Sequence, residues 1–182
     1  MTEIRITGFG GQGVIRCGFI IGKAASLFGG KNATLTQSFG PEARGSACSA
    51  QVLVSDDKVL YPYITIPEIL VAMSQEGYAK HKDNLKDGGI LITDEDLVKM
   101  DKPKGGIRHY AIPATRLAEE MKNKMVANIV MFGFFTAVTD VITAEAAKKA
   151  LPGSVPERLL DLNVKAFEKG YEFGRNLLDQ KK

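Results

Sequence analysis

The sequence has few of the residues that bind metals or carry redox chemistry. It contains two cysteines, Cys17 and Cys48, which lie far apart and form no C-x-x-C motif, and two histidines, His81 and His109, at no metal-ligand spacing. This set is too small and too scattered for a zinc site or an iron–sulfur cluster. We therefore predict that the chain carries neither, and that both cysteines are inert core residues.

The chain also lacks long apolar runs, a targeting segment and a strong excess of one charge. Its longest apolar run, residues 125–138, is interrupted by Asn128 and is shorter than the roughly 20 residues that span a bilayer. The N-terminus shows no basic region followed by an apolar core and a cleavage site, which predicts a cytoplasmic protein without a membrane partner. With 24 basic and 21 acidic residues, and no basic run interleaved with aromatic residues, nucleic acid is not expected as a partner.

Strand-like and helix-like segments alternate along the 182 residues, which is typical of a parallel sheet covered by helices. Apolar patterns predict strands over residues 4–7, 33–39, 49–55, 69–73, 90–93 and 107–112. Helices are predicted over residues 14–28, 75–84 and 125–138, and a long amphipathic helix closes the chain. We predict one α/β domain over 1–182: a Rossmann-like three-layer sandwich, with a mostly parallel sheet, helices on both faces and a helical C-terminal part.

Local signals predict where some helices begin and how they pack. Residues 94–96 (DED) are expected to open a short helix, with the acids as caps rather than catalysts, and residues 154–157 (SVPE) form a capping box before the last helix. Asn128 lies within an apolar helix and must satisfy its amide, by capping a neighbouring segment or by meeting a partner. Gly170 and Gly174 are expected to permit close helix packing.

Residues 8–14 (GFGGQGV) form a glycine-rich loop between the first predicted strand and helix. The glycines at 8, 10 and 13 fit the G-x-G-x-x-G spacing, in which backbone N–H groups and the positive end of a helix dipole face a ligand such as phosphate. A plain strand-to-helix turn uses glycines in the same way. The candidate binding residues are Gly8, Gly10, Gly11, Gln12 and Gly13.

A nicotinamide or flavin dinucleotide also needs an acidic residue about 20 residues further on, where it binds the ribose hydroxyls. That place falls within residues 33–38 (ATLTQS), which contain neither an acid for the ribose nor an arginine for a 2′-phosphate. The sequence therefore disfavours a dinucleotide.

A second loop, residues 37–48 (QSFGPEARGSAC), places Glu42 and Arg44 between glycines just after a predicted strand. Ligands of open α/β sheets collect at that edge, and a guanidinium there can hold a carboxylate or phosphate by two hydrogen bonds. The alternative is a surface turn with solvated charges. The candidate residues of this loop are Gly40, Arg44 and Gly45.

Four segments together resemble the gamma subunit of the 2-oxoacid:ferredoxin oxidoreductases. They are residues 8–14, 38–45 (SFGPEARG), 55–57 (SDD) and 128–133 (NIVMFG), and their order and spacing cover nearly the whole chain. Residues 56–97 are most similar to the 2-oxoglutarate type. Ser46 departs from the pattern, because many relatives have a second glycine after the arginine.

The resemblance implies a multi-subunit oxidoreductase that oxidatively decarboxylates a 2-oxoacid, reduces ferredoxin and releases an acyl-coenzyme A. It implies alpha and beta subunits and, where one is present, a ferredoxin-like delta subunit as partners. Thiamine diphosphate, magnesium and iron–sulfur clusters are expected on those partners, and coenzyme A is expected as a contact of the gamma chain. The chain has no Gly-Asp-Gly segment followed by paired asparagines to bind thiamine diphosphate, so it is not expected to be active alone.

These observations lead to the hypothesis that the two loops form one rim over the alpha–beta active site. In it, Arg44 attracts a coenzyme A phosphate or a partner carboxylate, and no residue of this chain is assigned to catalysis or to a metal. Two other classes of function stay open. One is a stand-alone phosphate- or nucleotide-binding regulatory module, and the other is an independent NAD-dependent reductase.

Overall fold

The computed structural model describes residues 1–39, 47–101 and 105–180. Its strands are β1 Thr2–Phe9, β2 Asn32–Phe39, β3 Ala47–Ser55, β4 Ile69–Ala72, β5 Ile90–Asp94 and β6 Arg108–Ile112. Its α-helices are α1 Val14–Lys23, α2 Gln75–His81, α3 Ala114–Glu120, α4 Ala127–Val138, α5 Ala144–Ala150 and α6 Leu160–Asp179. A π-helical turn, Ala24–Phe28, continues α1, and a 3₁₀ turn, Lys82–Asn84, continues α2, so the predicted helices 14–28 and 75–84 are confirmed.

The six strands form one sheet in the order β2-β3-β1-β4-β5-β6. The ladders β1–β4, β4–β5 and β5–β6 are parallel, whereas β3 runs antiparallel to both of its neighbours, β1 and β2. Five strands therefore point the same way and only β3 is reversed. The predicted mostly parallel α/β sandwich is confirmed.

One face of the sheet carries the main hydrophobic core. Ile4 and Ile6 of β1 and Val52 of β3 pack there with α1 and α4, and every residue of α4 is buried. On the opposite face a smaller apolar cluster joins Leu70 and Leu91 to Tyr78 of α2. The helices thus cover both faces, and the buried helix predicted over residues 125–138 is confirmed.

The helices α4 and α6 touch at their backbones. A Cβ on Gly133 would collide with the carbonyl of Phe167, and a Cβ on Gly170 would collide with the carbonyl of Val130. A Cβ on Gly174 would crowd the Ala137 side chain, as close packing of α6 requires. The predicted packing role of Gly170 and Gly174 is confirmed.

Two predicted helix starts are wrong. Asp94 ends β5 and is followed by a turn rather than a helix. Its buried carboxylate accepts from Asp96 N within that turn, at 3.1 Å, and from Thr115 N and Oγ1 in the first turn of α3, at 2.9 and 2.6 Å. Ser154 does not cap the last helix. Its Oγ donates to Ala150 O at 2.6 Å and accepts from Lys23 Nζ at 3.0 Å, since it helps satisfy the carbonyl end of α5. The last helix begins in a 3₁₀ turn, Glu157–Leu159, without a side-chain cap.

On the face of the sheet opposite the main core, the half formed by β1, β2 and β3 carries mostly polar side chains. Arg5 of β1 is buried there, and its guanidinium donates to Ile64 O at 2.9 Å and contacts His81 Nδ1 at 3.0 Å. A guanidinium has no acceptor, so Nδ1 of His81 is the acceptor and carries no proton. Burial, then the charges of Arg5 and Lys80, lower the pKa of His81 to about 4.

Gly170→Ala tests the backbone contact between α4 and α6. The added methyl group cannot fit against the Val130 carbonyl, so we expect the free energy of unfolding in urea to fall by about 2 kcal/mol or more. The matched control is Gly22→Ala in α1, where a Cβ would lie 3.9 Å from Ala33 and Val52 and stability should hold or rise slightly. Equal effects of the two substitutions would contradict this packing.

His81→Asn tests the lowered pKa of His81, which burial and then the neighbouring cations cause. The unfolded chain takes up a proton on this histidine near its ordinary pKa of 6.5, whereas the folded chain does so near 4. Because the unfolded state then binds more protons, the wild type should lose stability as the pH falls from 6.5 to 4. Asparagine keeps an acceptor for Arg5 but does not titrate, so this loss, about 1–2 kcal/mol for a half-exposed ring, should be absent from the variant. Parallel stability profiles in urea would contradict the shifted pKa.

Candidate functional site

The two predicted loops begin at the same edge of the sheet. Phe9, the last residue of β1, pairs with Ala47, the first residue of β3, and Phe39, the last residue of β2, pairs with Cys48. The carboxyl ends of β4, β5 and β6 lie at this edge too, since those strands are parallel to β1. Residues 40–46, with the candidates Gly40, Arg44 and Gly45, lie outside the described residues. The strand ends on either side of them place the second loop's two attachments beside the first loop.

Two glycines of the first loop are required by its own packing. Gly13 has φ +74° and precedes α1, and a side chain on it would also strike the amide of Asn128. The side chains of Gln12, Val14 and Met73 lie so close to Gly8 that they leave no room for a Cβ there. Both glycines therefore shape the turn, whatever approaches it from outside.

Gln12 ties the loop to the neighbouring strand. Its Oε1 accepts from the backbone N–H of Phe9 at 2.6 Å, and its Nε2 donates to the carbonyl of Met73 at 2.8 Å, just beyond β4. Both ends of this amide are thus engaged within the chain. Their effect is to hold the glycine turn against the end of β4.

Asn128 connects the loop to helix α4. This residue of the buried helix α4 donates from Nδ2 to the carbonyl of Gly13 at 3.2 Å. The amide is satisfied within the chain, as one of the two alternatives for Asn128 predicted. The start of α1 is therefore fixed by contacts with both β4 and α4.

The outer part of the loop is open. Gly10 and Gly11 are exposed, and no atom lies within 4 Å of the place where a Cβ on Gly11, with φ +100°, would be. The first turn of α1 has no acidic residue and no side-chain cap, and Arg16 is exposed within it. Arg16 was not among the binding residues predicted from the sequence, although a basic residue in the first helical turn after Gly13 indicates a site for an anion. The arrangement suits an anion or a backbone that approaches closely.

Exposed aromatic residues end the two strands that lead into the loops. Phe9 and Phe39, the last residues of β1 and β2, are exposed to 36% and 67%. The pairing register places them on opposite faces of the sheet, because Phe9 pairs with Ala47 and Phe39 pairs with the next residue, Cys48. They therefore do not form one apolar patch.

The topology gives a second reason against a dinucleotide. In dinucleotide-binding sheets the second strand lies next to the first, so that its terminal acid reaches the ribose bound at the glycine loop. Here β3 lies between β1 and β2. The end of β2 is therefore one strand further away, and it carries no acid.

The cysteines near the loop are not activated. Both are free and buried, and burial raises the pKa of Cys17 to about 12 and raises that of Cys48. A buried neutral thiol is a poor nucleophile, which agrees with their predicted role as core residues. Within residues 1–39, 47–101 and 105–180, no group of histidine, cysteine, aspartate and glutamate is placed to hold a metal ion. None of the helices in that part of the chain has the length and apolar character to cross a membrane.

Known proteins resemble this chain in both sequence and fold. The sequence model of the pyruvate ferredoxin/flavodoxin oxidoreductase family matches residues 3–173. The chain is 48% identical over 177 residues to 2-oxoglutarate synthase subunit KorC of Methanocaldococcus jannaschii, covering 96% of this chain and 95% of that protein. It is 47% identical over 176 residues to the KorC subunit of Methanothermobacter marburgensis, covering 93% and 95%.

Two solved structures extend the likeness. The gamma subunit of a keto/oxoacid ferredoxin oxidoreductase from Geobacter sulfurreducens matches with a TM-score of 0.84 and 40% identity, over 96% of this chain and 98% of that chain. The 2-oxoglutarate:ferredoxin oxidoreductase of Magnetococcus marinus, with 2-oxoglutarate, coenzyme A and succinyl-CoA bound, matches with a TM-score of 0.86 and 28% identity. That match covers 96% of this chain but 31% of the longer Magnetococcus chain.

The family match spans most of the chain, and the fold agrees with that of a gamma subunit over nearly its full length. The chain therefore belongs to the pyruvate ferredoxin/flavodoxin oxidoreductase family, a family of oxidoreductases, and groups within it with the gamma subunits.

Proposed function

We propose that this chain is the gamma subunit of a cytoplasmic 2-oxoglutarate:ferredoxin oxidoreductase, which converts 2-oxoglutarate and coenzyme A to succinyl-CoA and carbon dioxide while reducing ferredoxin. The observation that carries the proposal is the near full-length identity of 48% and 47% to two KorC subunits named for 2-oxoglutarate. The match of residues 3–173 to one family model also supports a single domain of this type over 1–182.

The proposal divides the chemistry between subunits. Alpha and beta subunits would hold thiamine diphosphate and magnesium, and iron–sulfur clusters there or on a ferredoxin-like delta subunit would carry electrons to ferredoxin. The described residues of this chain offer structure rather than redox chemistry, because the cysteines are buried and unactivated. Their part would be to pack against the partners and to bind one side of coenzyme A.

The rim is the part of the chain that we assign to coenzyme A and to the partner surface. The open backbone at Gly10 and Gly11, and the α1 terminus that no acid neutralises, suit the negative charge of a phosphate group. Gly8, Gln12 and Gly13 would act indirectly, by holding this backbone in place. From the second loop we assign Gly40 and Gly45 to close approach and Arg44 to a coenzyme A phosphate.

Assembly and activity test the complex. The chain co-expressed with its companion alpha and beta subunits should purify as one complex, and that complex should reduce ferredoxin only with both 2-oxoglutarate and coenzyme A. Pyruvate in place of 2-oxoglutarate, on the same preparation, is the control for substrate class. A chain that stays monomeric beside those subunits would contradict the proposal, and tight nucleotide binding by that monomer would favour a regulatory module.

Arg44→Ala tests the coenzyme A contact. If Arg44 binds a phosphate of coenzyme A, the KM for coenzyme A should rise at least about tenfold while kcat changes little, since a lost charged hydrogen bond costs about 1.5–3 kcal/mol. The matched control is Arg175→Ala, which removes an exposed arginine of α6 and should leave this KM unchanged. An assembled Arg44→Ala complex with an unchanged KM would remove the ligand role of Arg44.

A further inference from the structure

A second polar region lies on the face of the sheet opposite α1, and it contains buried groups that lack partners. Within the described parts of the chain, three buried side-chain polar atoms have no hydrogen-bond partner: Arg5 Nε, Thr34 Oγ1 and Thr36 Oγ1. The pairing register puts Arg5, Gln51 and Thr36 in one row across β1, β3 and β2, and Thr34 two residues from Thr36 on the same face. Buried polar groups are normally hydrogen-bonded, and of these three residues Arg5 is the one that lines a cavity beside α2.

A cavity of about 130 Å³ opens beside Arg5 on this face. Residues of β1, β2, β3 and α2 line the cavity. Besides Arg5, the polar residues of the lining are Thr7, Ser38, Ser49, Gln51, Lys80 and His81. No aspartate or glutamate of the described residues lines the cavity. The lining therefore combines two cations, several hydroxyl groups and an uncharged imidazole.

The Arg5 side chain is a buried cation without a hydrogen-bonded carboxylate. Only 7% of the residue is exposed, and its two hydrogen bonds go to a carbonyl and a neutral histidine. Burial lowers the pKa of Arg5, and the charge of Glu3 offsets only part of this effect. A buried charge is ordinarily paired, and one left alone is strongly unfavourable.

We propose that this cavity binds a carboxylate group through the guanidinium of Arg5. A guanidinium has five N–H donors and Arg5 uses two of them, so donors remain for the two oxygens of one carboxylate. Ser49 supplies a hydroxyl donor in the same cavity, and Lys80 adds positive charge at its exposed side. The carboxylate comes either from a small free acid or from an aspartate or glutamate of a partner subunit. The inference goes beyond the proposed function; only its second source, a partner's carboxylate, rests on the proposed complex.

The first arm of the experiment titrates the full chain with sodium acetate and sodium succinate, against sodium chloride at equal ionic strength, and follows the thermal unfolding midpoint. A free carboxylate ligand should raise the midpoint in a saturable way that chloride does not reproduce. Arg5→Met should abolish this shift. Lys80→Ala should weaken apparent binding about two- to fivefold, as expected for one exposed ion pair, and Lys165→Ala, at an exposed lysine of α6, should leave it unchanged.

A further variant keeps the test valid if Arg5→Met does not fold. Ser49→Ala removes one hydroxyl group from the cavity and leaves Arg5 in place, and it should weaken carboxylate binding about five- to tenfold. Carboxylates that act no differently from chloride on the wild type would exclude a free acid as the ligand.

The second arm tests a partner's carboxylate by co-purification with the companion subunits. If the partner supplies the group, Lys80→Ala and Ser49→Ala should each reduce the recovered complex, whereas Lys165→Ala should not. Folded Arg5→Met should lose the complex. Carboxylate binding that depends on Arg5 or Ser49, or assembly that depends on them, supports the proposal; full assembly of these variants together with no carboxylate effect would overturn it. Because this arm compares variants with a wild type that assembles, failure here is distinct from failure of the proposed function.

Discussion

The structure depends on the close contact between two helices, α4 and α6. Gly133 and Gly170 let their backbones meet, so α6 covers a helix of which every residue is buried. With α4 held at this depth, its one amide side chain, Asn128, can reach the carbonyl of Gly13 at the start of α1. A methyl group inserted between α4 and α6 would displace α4, and because protein interiors transmit strain, it would also disturb the glycine loop.

The reversal of β3 brings the attachments of both loops to one edge of the sheet. Because β3 returns between β2 and β1, the chain leaves the sheet after β2 and re-enters it beside β1 at one edge. The same reversal separates the end of β2 from the glycine loop, which is the contact that a dinucleotide would need. The position of β3 thus explains why both loops are attached at one edge of the sheet. It also explains why the glycine loop does not form a dinucleotide site.

Much of the fold follows from local sequence, and the exceptions have a common cause. The period of the apolar residues predicted the strands and the long helices, and the family resemblance carried the function. The helix starts predicted at Asp94 and Ser154 are wrong, and both side chains are bonded to groups that are distant in sequence: Thr115 bonds to Asp94, and Lys23 bonds to Ser154. The place of β3 between β1 and β2, and the polar surface around Arg5, equally depend on which strands become neighbours, and no local pattern encodes that choice.

The roles of the loop glycines also separate only in three dimensions. By spacing alone, Gly8, Gly10 and Gly13 belong to one phosphate-binding motif, yet Gly8 and Gly13 are fixed by Gln12 and Asn128, whereas Gly10 is exposed beside Gly11. The inner pair, together with the bonds of Gln12, makes the turn rigid before anything binds, so a ligand or partner backbone would not have to order it on arrival. Such preorganisation reduces the entropic cost of binding. Under the proposed function, this rigid and positively polarised edge would orient coenzyme A for a reaction carried out on the partner subunits.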